Sequence, residues 1–185
     1  VLGTNGVIRL PATTLTIDPP APNSPATNVY LSQPLQIIGN GYSHYGYSML
    51  NVLGEQWALY AHNPSAFIFR DFYIIGTGTA TSGGGIYFTE STTHNCESII
   101  EKVKLQKLYN GIWFDKQCAA QIRGVRTYNI DNHHLHLEND WGTDFGDTLV
   151  TDNFFQEDDN QGTCLYWVNG GGGRIIGNKF LGCKV

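Results

Sequence analysis

One pattern recurs four times along this chain, and its spacing constrains the fold more than any other feature. The copies are Gly85-Ile86-Tyr87-Phe88-Thr89-Glu90, Gly111-Ile112-Trp113-Phe114-Asp115-Lys116, His134-Leu135-His136-Leu137-Glu138-Asn139 and Cys164-Leu165-Tyr166-Trp167-Val168-Asn169. Each alternates as a half-buried strand does. With Ile86, Ile112, Leu135 and Leu165 as equivalents, the steps are 26, 23 and 30 residues. A weaker copy runs through residues 57–62, from Trp57 to His62. A second strand follows each first one, over residues 69–74, 100–105, 122–127, 150–154 and 176–180. Steps of roughly 25 residues with two or three short strands per coil point to a stacked solenoid.

No Leu-x-x-Leu-x-Leu pattern recurs, so the steps suit a leucine-rich repeat poorly. A β-sandwich would place a hairpin turn between every strand pair. Asn-Gly pairs do occur at Asn5-Gly6, Asn40-Gly41, Asn110-Gly111 and Asn169-Gly170, but Asn110-Gly111 takes the same coil corner that Gly84-Gly85 takes one turn earlier. The expected fold is therefore all-β: a right-handed parallel β-helix of about five to seven coils. One domain is expected over 1–185, with 1–41 as first coil or cap and 42–185 as regular coils. In the first part, 6–17 reads as strand, turn and strand, 18–28 as a proline-rich loop, and 35–41 as a strand ending in a turn. The chain opens Val1-Leu2-Gly3, and a longer native polypeptide is expected.

Composition narrows the function. The 185 residues include 22 Gly and carry a net charge of −5, with Lys and Arg scattered and no basic run. Nothing draws such a chain to nucleic acid or to anionic lipid. No apolar run approaches the ~18 residues of a membrane span, so no membrane insertion is expected. Cys96, Cys118, Cys164 and Cys183 fall at irregular spacings without a Cys-x-x-Cys motif, so four reduced thiols are expected and no zinc site.

Strand alternation turns the residue after each inner aliphatic outward. That column reads Tyr87, Trp113, His136 and Tyr166. Aromatic rings stacked on a surface suit the apolar C–H faces of sugars. Two positions further along the same face stand Asp115 and Glu138, expected on adjacent coils roughly 5–6 Å apart. Like charges that close raise one pKa and leave an acid beside a base, as glycosidic hydrolysis requires. Glu90, Lys116, Asn139 and Asp140 lie at or just past the strand ends. Asp140 is a further candidate acid or nucleophile, Glu90 and Lys116 are candidate sugar contacts, and Trp141 is a candidate groove wall. Alternation sets His134 and His136 on one face and His133 on the other; structural or solvated histidines are the expected reading, with proton transfer or hydrogen bonding to sugar as the alternative, His136 the candidate sugar contact, and no metal. Arg70, Lys102 or Lys104, Arg123 and Arg126 are expected as an outward basic strip beside the aromatic column, fit for uronate or sialate carboxylates. Glu157-Asp158-Asp159 lacks calcium-loop spacing and reads as solvated loop.

Three strings in order, Gly6-Val7-Ile8-Arg9-Leu10-Pro11, then Leu35-Gln36-Ile37-Ile38-Gly39-Asn40-Gly41, then coils of the Gly-Ile-x-Phe … Ile-x-x-Val type, resemble the pectate-lyase-like β-helix superfamily. Within it the chain looks most like bacteriophage tailspikes and capsule depolymerases. The resemblance covers residues 6–183 and rests on fold motifs. It implies a bacterial polysaccharide as partner, a homotrimer in the full-length protein, and a place on the virion tail or outside the cell. Endo-acting hydrolysis by Asp115 and Glu138 is the expected activity. The alternatives are a polysaccharide lyase, for which the resemblance implies an Arg or Lys base with Ca²⁺, and a non-catalytic glycan-binding or fibre segment. No cofactor is expected for the hydrolase.

Overall fold

The computed structural model describes residues 6–17, 29–31, 34–41, 47–61, 66–89, 97–115, 119–138, 148–158, 162–168 and 173–184. They form eighteen strands and no helix, and every strand pairing is parallel. The chain is a β-solenoid whose coils have three faces. The first face stacks seven strands: β1 (Gly6–Arg9), β4 (Leu35–Ile38), β7 (Ile68–Arg70), β10 (Ser98–Glu101), β12 (Ala120–Arg123), β14 (Leu149–Thr151) and β17 (Arg174–Ile176). The second stacks β2 (Thr14–Ile17), β5 (Met49–Val52), β8 (Tyr73–Ile75), the first halves of β11 (Lys104–Asp115) and β13 (Arg126–Glu138), then β15 (Phe154–Gln156) and β18 (Lys179–Leu181). The third stacks β3 (Val29–Leu31), β6 (Trp57–Ala61), β9 (Gly84–Phe88), the second halves of β11 and β13, and β16 (Thr163–Val168). Both β11 and β13 run through a corner and serve two faces.

Parallel stacking gives each backbone group a partner in the coil above or below, and it makes equivalent side chains coincide. Ile86, Ile112, Leu135 and Leu165 are register partners and form one inner column. Leu59 extends it by one coil. Phe88, Phe114 and Leu137 form a second, with the two phenyl rings stacked at 4.2 Å and 2°. All are buried.

The second-strand segments are two strands, not one. Between the first and second faces five of the coils turn on a single residue of positive φ: Asp71 (61°), Lys102 (50°), Gly124 (61°), Asp152 (55°) and Gly177 (68°). That left-handed residue interrupts alternation, so inward positions fall at i, i+3 and i+5: Phe69, Phe72 and Ile74, then Ile100, Val103 and Leu105, then Ile122, Val125 and Thr127. The same spacing continues as Val150, Asn153 and Phe155, which corrects the equivalence of the last two copies. Val150 pairs with Ile175 rather than Ile176, and Phe155, not Phe154, is the buried partner of Phe180. Asn153 satisfies that corner from inside. Its Oδ1 accepts from the Val125 amide at 2.8 Å, and its Nδ2 donates to the Ile122 carbonyl at 2.9 Å and to Asn178 Oδ1 at 2.8 Å.

Cys164 and Cys183 correct the expectation of reduced thiols: they are joined as a disulfide, with Cα atoms 5.3 Å apart. The separation of 19 residues puts the two cysteines on successive turns, where coil stacking brings their Cβ atoms together. Cys96 and Cys118, like the proline-rich 18–28, lie outside the described residues.

The corner geometry has a measurable consequence. An L-residue in the left-handed region costs about 1–2 kcal/mol, and glycine avoids most of it. Gly124→Ala is therefore expected to lower the unfolding free energy by about 1–2 kcal/mol, and Lys102→Gly to raise it by up to about 1 kcal/mol. Guanidinium denaturation of the two variants checks the opposite signs.

Candidate functional site

The third face gathers the outward column. Tyr60, Tyr87, Trp113, His136 and Tyr166 are successive register partners through β6, β9, β11, β13 and β16. Their rings contact one another: Tyr60 and Tyr87 at 4.9 Å, Trp113 and His136 at 3.6 Å and 8°, His136 and Tyr166 at 4.8 Å and 30°. Trp57 adds a stacked contact to Tyr87 at 5.0 Å and an edge contact to Trp113 at 6.5 Å. Trp113 and His136 thus turn their faces on each other, and what they offer a ligand is ring edge rather than ring face. His136, between Trp113 and Tyr166, is only 4% exposed, whereas Tyr166 is 41% exposed and is the ring of the column most open to solvent.

Asp115 and Glu138 are register partners at the ends of β11 and β13, the adjacent-coil placement that alternation predicts. Neighbouring strands lie about 4.8 Å apart. Each carboxylate meets a member of the aromatic column. The Tyr87 hydroxyl donates to Asp115 Oδ2 at 3.2 Å, and His136 Nε2 lies 2.9 Å from Glu138 Oε2. Burial, helped by the Asp115 charge, raises the Tyr87 phenol above its ordinary range, so it stays a donor. Burial lowers His136, against the opposing pull of Glu138 and Asp115. A neutral His136 with its proton on Nε2 donates to Glu138.

The histidine cluster departs from strict alternation. Leu108 pairs with Ile130 but Asn110 pairs with His133, so β13 carries one residue more than β11 at the corner. That bulge brings His133 to the outside with His136, 5.0 Å ring to ring, and within 4.9 Å of Tyr166. It sends His134 inside, where it is fully buried. Thr127 Oγ1 lies 2.5 Å from its Nδ1 and Glu157 Oε2 lies 3.2 Å from its Nε2. Burial holds His134 neutral, its pKa pushed down to about 3. The Thr127 hydroxyl then donates to Nδ1, and Nε2–H donates to Glu157.

Glu157 corrects the solvated-loop reading of its segment. It is buried, and it accepts from the Ile130 amide at 2.9 Å and the Asp158 amide at 3.1 Å as well as from His134. A buried carboxylate with three such donors has a structural role. Cys164 and Cys183 place sulfurs near His134, all ligand atoms within 4.8 Å, but the sulfurs are joined to each other.

The expected basic strip does not flank the aromatic column. Arg70 and Arg123 are on β7 and β12 of the first face, where Arg123 Nη2 pairs with Glu101 Oε2 at 3.1 Å. Lys104 and Arg126 are register partners on the second face, with the Lys104 ammonium over the Tyr73 ring at 4.5 Å. Three faces per coil, rather than two, separate these cations from the aromatic ladder. Asp140, Glu90, Lys116 and Trp141 lie outside the described residues. The ladder gains three members that the column reading passed over: Trp57 and Tyr60, signalled by the weak copy at 57–62, and His133, hidden by the bulge. No family model matches this chain, and no curated protein and no solved structure matches it.

Burial of the histidines sets a pH dependence. His133 is pushed down to about 4 and His134 to about 3, both chiefly by burial. In the unfolded chain both titrate near 6.5. A depressed folded-state pKa means that the unfolded chain takes up protons first as pH falls. Stability should be level above about pH 6.5 and decline between about 6 and 4, by about 1.4 kcal/mol per pH unit for His134. Urea denaturation across that range, with His134→Gln flattening the slope, is the check.

Proposed function

We propose that this β-solenoid binds a bacterial surface polysaccharide along its third face and cleaves it at Asp115 and Glu138. One observation carries the proposal: two carboxylates in register on adjacent coils, each held by a proton-donating member of an aromatic ladder. A sugar chain laid against the ladder would meet hydroxyl, imidazole and carboxylate groups along the ring edges, with Tyr166 offering apolar surface.

Two carboxylates separated by about one strand spacing favour the retaining route, for which a gap of about 5–5.5 Å is suitable. Asp115, whose charge the Tyr87 hydroxyl stabilises, is the nucleophile. Glu138, its side chain 33% exposed, is the acid and base. Glu138 protonates the leaving glycosidic oxygen as the Asp115 carboxylate bonds to the anomeric carbon. Water then attacks that carbon, Glu138 takes its proton, and Asp115 is released. Cleavage by β-elimination is less well supported, because Arg123 stands on another face and is paired to Glu101. A tailspike-like setting, with three copies assembled on a virion tail or outside the cell, goes with this function through the resemblance of the coil motifs.

Asp115→Asn and Glu138→Gln should each reduce the release of reducing ends from a capsule substrate by at least about 100-fold while leaving glycan binding intact. Product whose absorbance near 235 nm reveals an unsaturated sugar would replace hydrolysis by elimination. Binding with no product from the unaltered chain would leave a glycan-binding module, and full activity in both variants would remove the site.

A further inference from the structure

One imidazole and two sulfurs meet inside the last coils. His133 and Leu135 pair with Thr163 and Leu165, so His134 stands level with Cys164 on the next coil. Thr163 in turn bridges to Lys184, which sets Cys183 beside Cys164 one coil further on, the two joined as a disulfide. A ring nitrogen of His134 and both sulfurs lie within 4.8 Å of one another. Two local irregularities bring them together. The bulge in β13 turns His134 into the core. Gly162, two residues before Cys164, lets the chain come close to the imidazole: a Cβ there would stand 2.2 Å from the Ile130 carbonyl oxygen and 3.3 Å from His134 Nε2. The ring is held at both ends, by Thr127 Oγ1 at Nδ1 and by Glu157 Oε2 at Nε2. Whichever nitrogen binds an ion, the other keeps an oxygen partner, the support that histidine ligands to metals usually have.

We propose that the reduced protein binds one zinc ion through His134, Cys164 and Cys183, so that the last coil is fastened by the disulfide when oxidised and by the ion when reduced. The site is inside the solenoid and does not depend on the glycan reading of the outer ladder. A phosphine opens the disulfide: phosphorus takes the oxygen of a water molecule and becomes phosphine oxide, the S–S bond receives two electrons, and the two water protons complete two thiols. Zinc then replaces the two thiol protons, which leave to solvent. Thiolate sulfur sits about 2.3 Å from zinc and imidazole nitrogen about 2.0–2.1 Å, so tetrahedral ligands stand about 3.5–3.8 Å apart. Side-chain rotation brings atoms already within 4.8 Å to that spacing once the S–S bond is open. The fourth position is left to water. Two thiolates and a neutral imidazole cancel the charge of Zn²⁺, which makes the filled site compatible with burial.

The test uses cobalt(II) as probe, because its thiolate complexes absorb in the near ultraviolet and its tetrahedral complexes in the visible. The 185-residue chain, reduced with a phosphine, is titrated with cobalt and then with zinc. One cobalt per chain should bind with both absorptions, zinc should abolish them, and the oxidised chain should show neither. Zinc should also raise the thermal midpoint of the reduced chain and leave that of the oxidised chain unchanged. C164S/C183S should abolish the thiolate absorption, H134N should weaken cobalt binding by at least about 10-fold, and C96S/C118S should leave the spectrum in place. The reference is already reduced, so serine removes only the two sulfurs, and circular dichroism checks that each variant keeps its β-fold. Lack of thiolate absorption in the reduced chain would overturn the proposal, as would absorption that survives in C164S/C183S or disappears in folded C96S/C118S.

Discussion

Everything in this molecule depends on the vertical registration of its coils. A single coil cannot bury its inner residues or satisfy its backbone, and stacking does both at once. The same registration that aligns Ile86, Ile112, Leu135 and Leu165 inside must align Tyr87, Trp113, His136 and Tyr166 outside, because the side-chain period of a strand is two. The core and the candidate site are two consequences of one alignment. A slip of one residue would exchange them, placing carboxylates in the core and aliphatics in water.

The outer ladder has two effects that pull apart. Ring-on-ring stacking at 3.6 Å between Trp113 and His136 contributes stability, as aromatic pairs do, by about 0.5–1.5 kcal/mol beyond burial. It also uses up the faces that a sugar would cover. What remains for the proposed glycan contact is the rim: the Tyr87 hydroxyl, the two carboxylates and the exposed ring of Tyr166. Specificity on such a surface comes from hydrogen bonds and charge more than from stacking.

Much of this was legible in the sequence where alternation held. Each first strand keeps strict period two from its inner aliphatic onward, so the inner column, the outer aromatics and the Asp115–Glu138 pairing follow from spacing alone. Legibility failed at the corners. One left-handed residue at the corner of five coils changes the inward spacing to i, i+3 and i+5, which made two strands read as one and put Arg123 beside a face it does not share. One extra residue in β13 exchanged the faces of His133 and His134. Glu157 looked solvated because its neighbours are acidic, and its burial depends on a histidine 23 positions away. The Cys164–Cys183 pairing likewise depends on which turns become neighbours, which irregular spacings do not reveal.

Cross-strand nuclear Overhauser contacts in isotope-labelled protein test the registration most directly. The coil alignment predicts parallel-pattern contacts between Trp113 and His136, between His136 and Tyr166, and between Asp115 and Glu138, with Leu135 in contact with Ile112 on the inner side. Antiparallel Hα–Hα pairs along these strands, or contacts offset by one residue so that Leu135 meets Trp113, would contradict the fold and the site together.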